Sequence, residues 1–208
     1  MTVLSISRQF GAGGWTLGKA VADRLGYRFV SSEVINKMAK EANVSVEWIR
    51  GVEKHAGDWL MRYISKMVTS SFMERHVGES KSDFDEQKYI YFLQSIVKKI
   101  ADEDNIVILG RGSQYILHDN PNVLQILMVA DLEDRINFIK NIWNISRKEA
   151  EKAIQTREKR RDIFLKYFEK GHPNSLSLYH LILNTSKMDL KQAEDLIVWL
   201  VGNFQKKS

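Results

Sequence analysis

Apolar residues along this chain fall into two kinds of pattern: short continuous runs, and longer stretches with helical spacing. "TVLSIS" at the start is a short run that ends on a glycine-rich stretch. From Thr16 to Leu25 the apolar positions are Leu17, Ala20, Val21, Ala22 and Leu25, the spacing of one helical face, and Gly26 supplies the stop signal. "YRFV" reads as a second strand, ending at Ser31 and Ser32. Residues 33–103 then carry helical periodicity, broken by the polar segment "VGESKSDFDE". "NIVILG" (105–110), "VLQILMVA" (123–130) and "LILN" (181–184) are three further strand-like runs. A helix is expected from Ser146 to Lys170, opening with the capping pattern Ser146-x-x-Glu149. The last amphipathic stretch, "MDLKQAEDLIVWLV", has Asp189 placed to cap it, and Trp199 is expected in its core face.

Short apolar strands separated by helices imply parallel β-α units, here an α/β/α sandwich of three layers around a five-stranded parallel sheet. No internal repeat or low-complexity linker interrupts the pattern, so residues 1–208 are expected to form one domain. In such sheets ligands sit beyond the carboxyl ends of the strands. The segments to inspect are therefore Gly11–Gly14, Ser31–Ser32, Gly110–Gly112 and Asn184–Ser186.

Composition removes several classes of function. There is no cysteine, hence no disulfide and no thiolate metal site. The five histidines, at 55, 76, 118, 172 and 180, have no metal-ligand spacing. No apolar run approaches the roughly 20 residues of a membrane span, and the chain opens on a strand instead of a signal core, so a cytoplasmic protein without membrane contact is expected. The formal charge of +5 suits an anionic ligand. Nucleic acid is one such partner, but the densest basic cluster, "REKRRD" at 157–162, is interleaved with acids inside a helical pattern, and no nucleic-acid-binding module is recognisable.

Gly11, Gly13 and Gly14 follow a strand and precede a helix, the context in which a glycine loop cradles phosphate. The pattern departs from G-x-x-x-x-G-K-[ST] at its end: after Gly13 comes Gly14, not lysine, and Trp15 takes the usual hydroxyl slot.

"GAGGWTLGKA" resembles the phosphate loop of cytidylate kinases, G-A-G-K-G-T-L, in Gly11, Ala12, Gly13, Thr16 and Leu17. "SRQFGAGG" is closer still to the cytidylate kinase-like family, whose members carry S-R-x-x-G-[SA]-G-G without the lysine. The resemblance resumes at "VILGRGSQYIL", "PNVLQILMVADLEDRI" and "SRKEAEKAIQTREKRR". It implies a fold of the P-loop nucleoside triphosphate hydrolase type, with a helical acceptor-binding segment at 33–103 and a lid at 146–175. It also implies transfer of the γ-phosphate of ATP, with Mg²⁺, to a nucleoside monophosphate or related small acceptor.

By that resemblance Gly11, Ala12, Gly13, Gly14, Trp15 and Thr16 hold the donor phosphates, and Thr16 offers the hydroxyl for Mg²⁺. Ser32 matches the serine of D-S-G, which helps to hold the pyrimidine. Lys37 falls where an arginine grips the acceptor phosphate, and Arg111 keeps the arginine of D-G-R-D. Gly112 replaces that motif's last aspartate, which contributes to cytosine recognition, so base specificity is left open. Arg157 and Arg160 fall on lid arginines, and Arg161 lies on the same expected face. The charge of the missing lysine is open to Arg8, or to Arg157 or Arg160 on lid closure. Arg135 reads either as a further contributor or as half of a surface ion pair. Leu109 stands where an acid for a second metal contact would serve. A catalytically weak or inactive nucleotide-binding sensor, a pseudokinase, is the rival reading.

Overall fold

The computed structural model describes residues 2–32, 35, 86–168 and 176–204. Lys37 and most of the segment 33–103 lie outside the described residues, as does the end of the lid segment, 169–175. The chain divides into two compact units, Met1–Ser32 with Val97–Ser208, and Glu33–Ile96.

In the larger unit, β1 (Val3–Arg8), β2 (Arg28–Val30), β3 (Ile106–Leu109), β4 (Val123–Val129) and β5 (Leu181–Asn184) form one sheet in the order β2-β3-β1-β4-β5. Every pairing is parallel. Between β1 and β2 runs α1 (Gly14–Leu25), and α2 (Glu86–Ala101) precedes β3. After β3 come α3 (Ser113–Ile116) and, beyond β4, α4 (Leu132–Trp143) and α5 (Arg147–Leu165). The last helix, α6 (Leu190–Asn203), follows β5. The five-stranded α/β architecture read from the apolar runs is the one observed.

Parallel strands must be covered on both faces, which is why these runs are almost continuously apolar. Leu4 and Ile6 of β1, Val107 and Leu109 of β3, and Leu124, Ile126 and Met128 of β4 pack with Leu17, Val21 and Ala22 of α1 and Ala193, Ile197 and Val201 of α6. The opposite side of β1 is polar yet buried. The Ser5 and Ser113 hydroxyls share a hydrogen bond of 2.8 Å, and the Ser7 hydroxyl donates to Gln114 Oε1 at 2.9 Å. These bonds pin α3, the short helix after the β3 turn, beneath the carboxyl end of β1. The central strand β1 lies between β3 and β4; the connection after β1 runs to the β2 side, and those after β3 and β4 run to the β4 and β5 side. The topological switch point, where ligands of such sheets bind, therefore lies at the carboxyl ends of β1 and β4.

Helix boundaries follow local chemistry. Ser146 and Glu149 form a reciprocal capping box at the start of α5, as do Asp189 and Gln192 at α6. Gly26 closes α1 in the left-handed conformation. One boundary and one burial depart from the sequence pattern. The helix opened by Ser146 stops at Leu165 and continues as a turn through Phe168. Trp199, expected in the core, is 62% exposed, because the buried stripe of α6 runs Ala193, Ile197, Val201 and residue 199 falls off it. Removal of the α6 cap by Asp189→Ala is expected to lower stability by about 1 kcal/mol, read as a fall in the urea midpoint at unchanged slope.

Candidate functional site

The loop between β1 and α1 gathers its supports from four other elements. Gly11 and Gly13 both have positive φ, 90° and 75°, a backbone that L side chains adopt only with strain. A Cβ on Gly11 would also lie 2.9 Å from Arg135 Cβ and 3.0 Å from its carbonyl oxygen, so the loop rests directly on the first turn of α4. Gly13 packs against Leu190 at the head of α6. The Gln9 side chain accepts from Ala130 N–H at 3.0 Å. The Thr185 hydroxyl lies 3.3 Å from both the Ala12 and Val129 carbonyls, tying the loop to the ends of β4 and β5. Gly13 is the N-cap of α1 and provides no side-chain cap, so the first-turn amides are not covered by one. Trp15 and Thr16 are both exposed on that turn, Trp15 with its ring edge-on to Phe29 at 6.0 Å.

Gly14 has a different reason for being glycine. It lies within α1, where any residue fits the backbone, but a Cβ there would sit 2.9 Å from Cγ, 3.0 Å from Cβ and 3.2 Å from Cδ of Arg8. The Arg8 stem thus crosses the root of the side chain that a loop lysine would occupy. Its guanidinium reaches the Gly110 turn, where a Cβ would collide with Nη1. Nη2 donates to the Ser32 hydroxyl at 3.2 Å.

Arg111 approaches the same serine from β3, with Nε donating to the Ser32 carbonyl at 3.3 Å. Ser32, buried beyond the end of β2, is therefore bound by two guanidinium groups from two neighbouring strand ends. Gly110, Arg111 and Gly112 all have positive φ, 78°, 61° and 69°, and this run aims Arg111. For the arginine that conformation costs on the order of 1–2 kcal/mol, a strain of the kind that clusters at functional sites.

The middle and end of α5, with the turn that follows it, lie against the glycine loop and the Arg111 turn. Arg157 Cζ stands 5.5 Å from the centroid of the Phe10 ring, and Phe10 packs at 5.6 Å on Trp143. Phe164 carries Arg111 on its ring at 5.5 Å. Phe168 lies against Gly112, where a Cβ would be 3.0 Å from its ring, and stacks on Tyr115. The space into which an acid at 112 would project is thus filled by a phenyl ring. The Tyr179 hydroxyl is held above the ordinary tyrosine range by burial, opposed by its hydrogen bond to Ser7 and the nearby charge of Arg161. Residues 157, 161 and 164 follow i, i+4, i+7, one face of the helix, and Phe168 follows in the turn beyond it. Arg157 and Arg161 share that stripe, Arg161 half-buried and Arg157, like Arg160, exposed.

Arg135 is no surface ion pair. Its side chain is 12% exposed, with Nη1 donating to the Phe10 carbonyl at 3.5 Å and lying 3.6 Å from Glu158 Oε1. Lys19 pairs with Asp23 along the outside of α1. Thr185 lies in the strand-end segment Asn184–Ser186 that the sequence marks, whereas Phe10, Glu158, Phe164, Phe168 and Tyr179 are missed by sequence reasoning. Of these only the Phe164/Phe168 pair left a signal, two aromatics at i, i+4 after a basic helical run. Among the described residues no three His, Asp or Glu side chains gather as a metal cluster, and no helix is long and apolar enough to cross a membrane.

An uncharacterized protein from Eubacterium ventriosum ATCC 27560 superposes with a TM-score of 0.69 at 18% identity, over 97% of this chain and 99% of that one. Shikimate kinase from Acinetobacter baumannii in complex with shikimate superposes with a TM-score of 0.51 at 12% identity, over 100% and 96%. At such identities these likenesses show the fold alone, an α/β architecture around a five-stranded parallel sheet. No curated protein matches. The model of the cytidylate kinase-like family matches residues 3–187, which include the glycine loop, the Arg111 turn and α5, and the chain belongs to that family.

Proposed function

We propose that the protein is an ATP-dependent phosphotransferase acting on a nucleoside monophosphate or a related small anionic acceptor. The observation that carries this reading is the convergence of Arg8 and Arg111 on Ser32 beside an uncapped glycine loop. Phosphoryl transfer requires placement and charge neutralisation more than covalent participation by the protein. The backbone amides from Gly11 to Thr16 would hold the donor phosphates at the amino end of α1. Arg8 would take the lysine's place, since its guanidinium stands between the donor loop and the Arg111 turn. Arg111, a rigid fork on a strand end, would hold the acceptor's anionic group, with Ser32 as its anchor. Lys37 remains a proposed acceptor contact on sequence grounds. Arg157 is held at the loop by Phe10 and would close over the phosphates, with Arg160 and Arg161 on the same lid helix. An acceptor oxygen would attack the γ-phosphorus in line and ADP would leave.

Mg²⁺ would neutralise charge between the transferred and leaving oxygens. The residues present suit an ion that arrives on the nucleotide: Thr16 offers one exposed hydroxyl at the loop, and Leu109 leaves no carboxylate at the end of β3. Mg²⁺ commonly takes few protein ligands and keeps water and phosphate oxygens.

The test is ADP production from Mg-ATP across CMP, dCMP, UMP, AMP and GMP. Turnover with one or two acceptors is the expected result. Binding of the same nucleotides without any turnover would make the protein a sensor, and no binding at all would reduce the glycine loop to a turn.

A further inference from the structure

A loop suited to anions has a carboxylate at its entrance. Glu158 Oε1, from the middle of α5, accepts the Phe10 backbone N–H at 2.5 Å, one residue before Gly11. The same oxygen is 3.6 Å from Arg135 Nη1, and the Glu158 side chain is 24% exposed. Beside it Arg157 lies over the Phe10 ring. A charge-assisted bond to a backbone amide is among the stronger polar contacts available to a side chain. Here it fastens the helix that carries Arg157 to the approach of the glycine loop.

We propose that Glu158 is a latch: with no nucleotide bound it holds α5 on the donor loop through the Phe10 amide, and donor phosphate displaces it. This rests on the reading of Gly11–Thr16 as the donor site. A switch needs a ligand that interacts differently with its two states. The difference here is one of sign, because a carboxylate stabilises the empty loop and repels the phosphates of the filled one. Displacement leaves Arg135 beside the loop with its counter-ion withdrawn, and releases α5 and Arg157 to move onto the nucleotide. Glu158 is a positioning residue in this scheme and touches no reacting atom.

The experiment is calorimetric titration of the full-length protein with Mg-ADP, comparing wild type, Glu158→Gln and Glu149→Gln. Glu158→Gln keeps an amide-accepting oxygen and removes the charge, and it is expected to bind Mg-ADP about tenfold more tightly, as relief of a close like-charge contact would give. Glu149→Gln weakens the α5 capping box without touching the loop and is expected to leave affinity unchanged. Equal or weaker binding by Glu158→Gln, where wild type binds, overturns the latch and leaves the donor site standing. Tightening in both variants also overturns it, since loosened helix alone would then suffice. Absence of Mg-ADP binding in all three overturns the donor-loop reading and the latch with it. Should Glu158→Gln fail to fold, Glu158→Asp retracts the carboxylate by one methylene. Tighter binding by that variant supports the latch, and wild-type affinity refutes it.

Discussion

Restoring the loop lysine is expected to fail in the native protein and to succeed only where Arg8 has been removed. Gly14→Lys alone places a Cβ about 3 Å from three carbons of the Arg8 stem. These atoms form the root of the side chain, held between the loop and the strand, and cannot swing aside as a flexible tip would. Overpacking of that kind costs typically 1–3 kcal/mol, and it would displace the Arg8 guanidinium from Ser32. Arg8→Ala alone removes a preorganised cation, with an expected fall in kcat of about 10²–10³-fold. The double variant Arg8→Ala/Gly14→Lys has room for the lysine and a need for it. Its kcat is expected to exceed that of Arg8→Ala by at least about tenfold, a coupling that independent sites do not show. The measurement is kcat for ADP production in the four proteins, with urea unfolding to separate loss of fold from loss of chemistry. If the double variant is no better than the product of the two single losses, Arg8 and a lysine at 14 do not compete for one task.

The cycle also shows what could be read from the chain and what could not. The sequence announces that Gly14 stands where a lysine is expected, but its cause involves Arg8, on the preceding strand, and the Gly110 turn about a hundred residues away. Such a dependence carries no periodicity. β3 and β4 were legible because a doubly covered parallel strand is apolar along most of its length, and both helix caps because Ser146/Glu149 and Asp189/Gln192 act within four residues. Arg135 was ambiguous because its acidic neighbours, Glu133 and Asp134, mark an exposed first turn. Its burial arises from Gly11, whose missing side chain lets the loop settle on α4. Phe10 carries no mark in the sequence, because its part is played by a backbone amide, a carbonyl and a ring that meet Glu158, Arg135, Arg157 and Trp143. Trp199 was misplaced because one large aromatic outweighed the smaller stripe that actually faces the core.

The strained turn at Arg111 permits a sharper test of function than loss of activity. A residue whose only task is structural should be replaceable by whatever best suits its backbone. With φ of 61° between two glycines that also have positive φ, position 111 would accept glycine most readily. Arg111→Gly relieves the left-handed penalty, on the order of 1–2 kcal/mol, but loses the bond to the Ser32 carbonyl and the packing on Phe164. Arg111→Ala loses the same contacts and keeps the strain. Arg111→Gly is therefore expected to be more stable than Arg111→Ala by about 1 kcal/mol, measured as the difference in urea midpoints at equal slope. Both are expected to lose acceptor turnover together, by at least about 10²-fold in kcat/KM, as removal of a charged hydrogen-bonding group from the acceptor predicts. Donor affinity, read with Mg-ADP, should stay within about twofold of wild type in both, because the donor loop is a separate element. That pattern requires stability and activity to part company at a single position. If activity instead rises from the alanine to the glycine variant in step with stability, Arg111 serves the fold, and the acceptor's anion must be held elsewhere.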